Sequence, residues 1–267
     1  MNHLTRDTRL CISLAGRPSN LGTRFHNYLY GELGLDFVYK ACTTTDLEGA
    51  MLGIRALGIR GCGVSMPFKE DVLDLVDVVD PSAAVIASAN TIVNDDGLLT
   101  AYNTDYLAVR ALLPAVQGPA AVAGSGGMAK AAVAALRDSG FDDVTVVARN
   151  PQTGRLLAER YGFGWRSELG ELRPALLLNA TPVGMDGGAE SADLAFSAEA
   201  VDAAAAVFEV VAVPEQTPLV RRARKAGKQV ILGTAVSALQ AAEQFALYTG
   251  VRPSDEQIRR ASEYSRS

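Results

Sequence analysis

The sequence predicts an α/β protein of two domains, the first with a mostly parallel sheet. Three observations carry this. From Arg9 to Val76, short apolar runs alternate with helix-like segments, the pattern of strands joined by crossover helices. The run Pro114-Ala115-Val116-Gln117-Gly118-Pro119 then punctuates the chain, and a second strand-and-helix series opens at Ala120. Near the end, Ser237–Leu247 is a strong helix candidate, expected to return to the first domain. With 267 residues, 48% of them hydrophobic, the chain can bury such cores without disulfide or metal staples.

In order, the first domain reads as a strand at Arg9–Ala15, a loop through Gly16-Arg17-Pro18-Ser19-Asn20, and a helix over about Thr23–Leu33. A strand at Phe37–Cys42, a helix at Leu47–Leu57 and a strand at Gly61–Ser65 follow; after Pro67, Phe68–Val76 reads as a third helix. Asn103–Leu113 reads as a helix leading into the second domain. There the strands are Ala120–Ala123, Val144–Ala148, Leu176–Asn179, Ala205–Val211 and Gln229–Leu232, with a helix at Ala129–Ser139.

Composition excludes several classes. The 30 acids against 25 bases leave a net charge of −5, with no basic stripe of the kind nucleic acid requires. Cys11, Cys42 and Cys62 are widely spaced and form no CxxC pair, and the histidines are only His3 and His26. A disulfide framework and a Cys/His zinc site are therefore not expected. No apolar run approaches the roughly 18–20 residues of a membrane span, and no leader pattern opens the sequence. The expectation is a reduced cytoplasmic protein, monomer or homodimer, that acts on a small molecule and uses no metal, nucleic acid or membrane.

Between a strand and a helix lies Val122-Ala123-Gly124-Ser125-Gly126-Gly127-Met128-Ala129, a G-x-G-x-x-A variant of the dinucleotide fingerprint. Gly124 suits a tight turn, Gly126 a close approach of backbone to pyrophosphate, and Ala129 close helix–strand packing. Amides at the helix start can meet the phosphates. An NAD site usually places an acid about 20 residues on, at the ribose 2′-hydroxyl. Here the next strand ends in Arg149-Asn150-Pro151-Gln152-Thr153-Gly154-Arg155, with two arginines and no acid. That favours NADP, because a guanidinium pairs with a 2′-phosphate; NAD stays open.

Three polar clusters precede this turn: Gly63-Val64-Ser65-Met66-Pro67-Phe68-Lys69, Ala89-Asn90-Thr91 and Tyr102-Asn103-Thr104-Asp105. Singly, Lys69 could be a helix-surface lysine, Asn90 a turn residue and Asp105 a helix cap. Together, in this order and ahead of a nucleotide turn, they resemble the shikimate dehydrogenase family over nearly the whole chain. The family's N-V-T-x-P-x-K stretch matches residues 63–69, its A-x-N-T element Ser88-Ala89-Asn90-Thr91, and its N-T-D element Asn103-Thr104-Asp105. Its N-A-T-P-x-G-M element is intact as Asn179-Ala180-Thr181-Pro182-Val183-Gly184-Met185, and its late glutamine matches Gln240, ahead of Phe245.

The resemblance implies a substrate-binding catalytic domain over 1–102 plus 237–267, and a Rossmann-type NADP-binding domain over 103–236. It implies Lys69 and Asp105 as the catalytic pair, with Ser65, Asn90 and Gln240 on the substrate. The cofactor would meet Gly124, Ser125, Gly126, Gly127, Met128, Ala129, Arg149, Asn150, Asn179, Thr181, Pro182, Val183 and Gly233. With its departures the chain resembles a divergent, shikimate dehydrogenase-like branch. The family's two carboxylate-binding serines in S-x-S-P-x-x-H fall, counting back from His26, on Asn20 and Gly22, in a loop two residues shorter than usual. Ser19 and Thr23 are the nearby substitutes. A tyrosine five residues before a Thr-Pro pair is here Ala212, Asn150 replaces the threonine of N-R-T, and Thr153 stands where a second base is common. The expected activity is interconversion of a ring hydroxyl and ketone with NADP, weak on shikimate itself. The alternatives are an NAD-dependent quinate- or aminoshikimate-type dehydrogenase and a non-catalytic dinucleotide sensor.

Overall fold

The computed structural model describes residues 4–267; residues 1–3, and with them His3, lie outside the described residues. The chain divides into two compact units, one running to Thr104 and resuming with Ala238–Ser267, the other Asp105–Ser237.

In the first unit β1 (Arg9–Leu14), α1 (Leu21–Glu32), β2 (Phe37–Cys42), α2 (Leu47–Ala56) and β3 (Gly61–Val64) follow the alternation read from sequence. β1 pairs in parallel with both β2 and β3. α1 buries Phe25, His26, Leu29 and Tyr30 on one stripe, and α2 turns Met51 and Ile54 inward behind an Asp46 cap on the Gly49 amide. Phe25, Leu29, Met51 and Ile54 each contribute roughly 1.5–3 kcal/mol of apolar burial. The predicted helix over Phe68–Val76 is not formed. Only a 3₁₀ turn, Asp71–Leu75, follows Pro67. The reason is non-local: the Lys69 carbonyl accepts from the Ala89 amide at 2.7 Å, so it is withdrawn from any i→i+4 ladder.

Next come β4 (Val78–Val79), α3 (Pro81–Ala84), β5 (Thr91–Asp95) and β6 (Leu98–Tyr102). The β5–β6 hairpin turns at Asp96-Gly97, both with positive φ (52° and 96°). Asp-Gly between strand-like runs is a hairpin signal because that turn requires φ above zero at both positions. The resulting sheet, in order β2-β1-β3-β5-β6-β4, is parallel-rich, with β5 antiparallel to both its neighbours.

α4 (Thr104–Leu112) begins at the junction of the units. The second unit then runs β7 (Ala120–Ala123), α5 (Gly127–Asp138), β8 (Val144–Val147), α6 (Pro151–Tyr161), β9 (Gly164–Arg166), β10 (Leu176–Asn179), α7 (Ala198–Ala203), β11 (Ala206–Glu209), α8 (Pro218–Lys225) and β12 (Gln229–Ile231). Its six strands are all parallel, in the order β12-β11-β10-β7-β8-β9. This is the doubly wound dinucleotide order, whose direction reverses between β7 and β10. α6 was not foreseen: Asn150 caps it, accepting from the Gln152 and Thr153 amides, and Pro151 opens it. α9 (Gly233–Thr249) and α10 (Asp255–Arg266) end the chain. From Ala238 onward they belong to the first unit, where Ala241, Ala242, Phe245, Tyr248 and Ala261 pack with Phe25, Leu29 and Tyr30.

Candidate active site

Three polar segments of the first unit, residues 63–69, 89–91 and 102–104, meet at Asn90, which is 3% exposed. The Ala89-Asn90 backbone joins all three: Val64 donates to the Asn90 carbonyl at 2.7 Å, Asn90 donates to the Tyr102 carbonyl, and Ala89 donates to the Lys69 carbonyl. The Asn90 side chain continues the network. Asn90 Oδ1 accepts from the Thr104 amide and from Thr91 Oγ1, each at 2.8 Å, while Nδ2 donates to Thr104 Oγ1 at 2.9 Å and to Gln240 Oε1 at 3.4 Å. Gln240 thus arrives from α9, 150 residues away. One turn on, Gln244 donates to the Asn90 carbonyl and to Thr91 Oγ1. Gln244 is buried and was missed from sequence, where it reads as an ordinary helix amide.

Lys69 is half-buried and Ser65 exposed on the same segment. Asp105, 8% exposed, follows Thr104 directly in the first turn of α4. The glycine of the first loop, Gly16, donates to the Met66 carbonyl at 3.0 Å, so the loop starts beside the Met66-Pro67 step. On that loop Ser19 and Asn20 are exposed, and Asn20 occupies the N-cap of α1 without a side-chain cap bond. Thr23 Oγ1 is buried, with no hydrogen-bond partner. A Cβ on Gly22 would meet only the Tyr39 ring, at ordinary contact distances from 3.6 Å, so a serine can be placed there.

In the second unit a cleft of about 1020 Å³ opens at the strand ends beside the reversal point. Gly124, Ser125, Gly126, Arg149, Asn150, Thr181, Pro182 and Val183 all line it. Gly124 has φ +112°, and a Cβ there would sit 2.9 Å from the Ala180 carbonyl oxygen. Only glycine combines that conformation with that approach. Gly126 and Gly127 face open space, and α5 starts with no side-chain cap. Its first amides are therefore available to an anion. Met128 is half-buried and Ala129 fully buried in the first turn of α5. Gly233 opens α9 against the Val210 and Val211 carbonyls, which any Cβ would strike. Ser125 Oγ and Thr153 Oγ1 lie 2.8 Å apart, joining the glycine turn to α6. Of the two arginines noted in the turn, only Arg149 lines the cleft; Arg155 lies over the Trp165 ring, 4.5 Å from its centroid.

Under the cleft floor Asn179 is fully buried. Its Oδ1 accepts from the Thr181 amide and hydroxyl, and its Nδ2 donates to Glu209 Oε1 at 2.9 Å. Glu209, also fully buried, accepts in addition from the Val211 amide and from Thr217 Oγ1. Burial pushes its carboxyl up to about 7 against these donors. A lone Glu at a strand end gave no sequence signal of this role. Among the described residues no group of His, Cys, Asp or Glu gathers as metal ligands, and no helix is long and apolar enough to cross a membrane.

A doubly wound parallel sheet with a glycine turn at its reversal point, joined to a unit whose polar residues converge on one amide, is the build of a dinucleotide-dependent oxidoreductase. Comparison with known proteins agrees. Residues 19–92 match the shikimate dehydrogenase substrate binding domain. The chain is 53% identical to a shikimate dehydrogenase-like protein of Haemophilus influenzae, over 99% of each chain. A solved shikimate 5-dehydrogenase-like protein superposes with a TM-score of 0.96 at 52% identity, covering 99% of this chain and 100% of that one. The Thermus thermophilus shikimate 5-dehydrogenase, solved with NADP(H) and shikimate, gives 0.85 at 32% identity, over 96% and 99%. The chain belongs to the shikimate dehydrogenase family of NAD(P)-dependent oxidoreductases.

Proposed function

We propose that this protein interconverts a ring hydroxyl and a ketone on shikimate or a shikimate-like hydroxylated ring acid, using NADP, with the first unit holding substrate and the second the dinucleotide. The observation that carries the reading is the convergence of residues 63–69, 89–91, 102–104 and Gln240 on Asn90. Amides that both donate and accept, as at Asn90 and Gln240, suit a polyhydroxylated ring. The dinucleotide would be held by the glycine turn, the first turn of α5, Arg149, Asn150 and the Asn179–Val183 loop; when bound it supplies hydride chemistry. The chain handles the proton. Lys69 donates it to the ketone oxygen in reduction and takes it from the hydroxyl in oxidation, with Asp105 as the second member of the proposed catalytic pair. The reading is tested by a cofactor-reduction screen over shikimate, quinate and aminoshikimate with NADP and with NAD. Turnover of none of these ring acids would overturn it.

Shikimate should be a poor substrate in that screen. A carboxylate taken from water needs donors, and Asn20 and Gly22 stand where the family carries two serine hydroxyls. Each lost charge-assisted bond costs roughly 1.5–3 kcal/mol. Grafting a full-length S-x-S-P loop between Gly16 and His26 is expected to raise shikimate kcat/KM at least about tenfold. A folded graft with no gain, or a wild type already as efficient as the S-x-S enzymes, would clear the loop of blame.

A further inference from the structure

We propose that Glu190 sets the balance between NADP and NAD in this cleft by competing with the cofactor's 2′-phosphate for Arg149, an inference that rests on the dinucleotide reading of the second unit. Arg149 is engaged face to face by Glu190: its two terminal nitrogens donate to the two carboxylate oxygens at 2.8 and 3.1 Å. A 2′-phosphate would use the same planar fork of donors. Of the two partners the carboxylate is the better held. Glu190 is 37% exposed against 76% for Arg149. The Glu190 carbonyl accepts from the Gly184 amide at 2.9 Å and from the Asp193 amide at 3.2 Å. Its place is therefore set by the loop after β10, independently of Arg149.

The surrounding charge acts in the same direction. The residues lining the cleft include Glu168, Glu190 and Asp193 against one base, Arg149. A phosphate carrying nearly two negative charges meets a net acidic rim, whereas a ribose 2′-hydroxyl can donate to a carboxylate. Dinucleotide sites that prefer NAD usually carry an acid at the end of the second strand. Here that position is Arg149, and the acid comes from 41 residues further on.

The test is calorimetric titration of wild type and Glu190→Gln with NADP and with NAD, without substrate. The substitution should tighten NADP by about three- to tenfold, the scale of releasing one partly exposed ion pair and removing one like charge. NAD affinity should stay level or weaken. Arg149→Ala should weaken NADP more than NAD, and in that background Glu190→Gln should yield a clearly smaller gain for NADP, only that of removing one acid from the rim. Unchanged or weaker NADP binding in Glu190→Gln, or a gain of undiminished size without Arg149, would overturn the competition. Those failures leave the dinucleotide reading standing. A wild type that binds neither NADP nor NAD would overturn that reading, and this inference with it.

Discussion

Replacing Lys69 with Met is expected to lower kcat/KM by about 10²–10⁴-fold, the usual size of a positioned general acid–base contribution. Dinucleotide affinity should hardly change, because the residues proposed to bind the dinucleotide, Gly233 included, all fall in the second unit. The fold should survive. The backbone carbonyl of Lys69, which binds the Ala89 amide, is retained in any substitution, and Met keeps the apolar stem that a half-buried lysine packs. Asp105→Asn should also be severe, through loss of the carboxylate from the proposed catalytic pair. The measurements are steady-state kinetics on the substrate identified by the screen, a dinucleotide titration, and a thermal melt of each variant. A Lys69 variant with near-normal turnover would remove this residue from the chemistry.

The second large effect is on stability against pH, and two buried groups drive it in opposite directions. Burial raises the Glu209 carboxyl from 4.5 to about 7. Between those values the unfolded chain has lost this proton while the folded chain keeps it. The folded state then binds more protons, so stability falls as pH rises through the window, by on the order of 3 kcal/mol. His26, stacked on Tyr39 at 4.4 Å, is held down from 6.5 to about 3, by burial first, with Gln244 opposing. Here the unfolded chain takes up a proton that the folded chain refuses. Its contribution is complete above about pH 6.5 and is lost as pH falls towards 3, by several kcal/mol.

Glu209 belongs to the second unit and His26 to the first. If the units unfold together, the two slopes cancel in part between pH 4.5 and 6.5. If they unfold separately, their transitions move oppositely with pH. Glu209→Gln keeps an acceptor for the Asn179 and Val211 donors and offers an amide to the Thr217 hydroxyl, while removing the titration. Relative to wild type it should gain stability steadily from pH 4.5 to 7. His26→Phe should show the reverse, gaining relative stability as pH drops below 6.5. Thermal or urea unfolding across pH 4–8 measures both differences. Parallel wild-type and variant curves would show that these groups do not titrate as their burial implies.

Much of the scaffold was legible because its causes are local. Cys11-Ile12-Ser13-Leu14, Ala120–Ala123 and Leu176–Leu178 are apolar runs of strand length between turn residues, and these form the buried strands. Gly124 announced the turn after β7 because only glycine tolerates the positive φ needed there. The candidate site was legible as separate polar clusters, each a short run of residues in an informative order. A hairpin signal was present too, at Asp96-Gly97, but the strands beside it carry Asn94 and Asp95 and their apolar pattern is weak.

Tertiary structure alone decided the rest, because pairs far apart in the chain leave no periodic trace in it. The Ala89 amide claims the Lys69 carbonyl and turns a predicted helix into a 3₁₀ turn. The fold brings Gln240 and Gln244 to Asn90 from about 150 residues away. Glu209 looks like any strand-end acid until burial, opposed by three donors, makes it a titrating group near neutrality. The sequence by itself determined that a guanidinium stands at the end of β8. Only the path of the loop after β10 decided that a carboxylate stands against it, since electrostatic partners are chosen by distance in space and not by spacing along the chain.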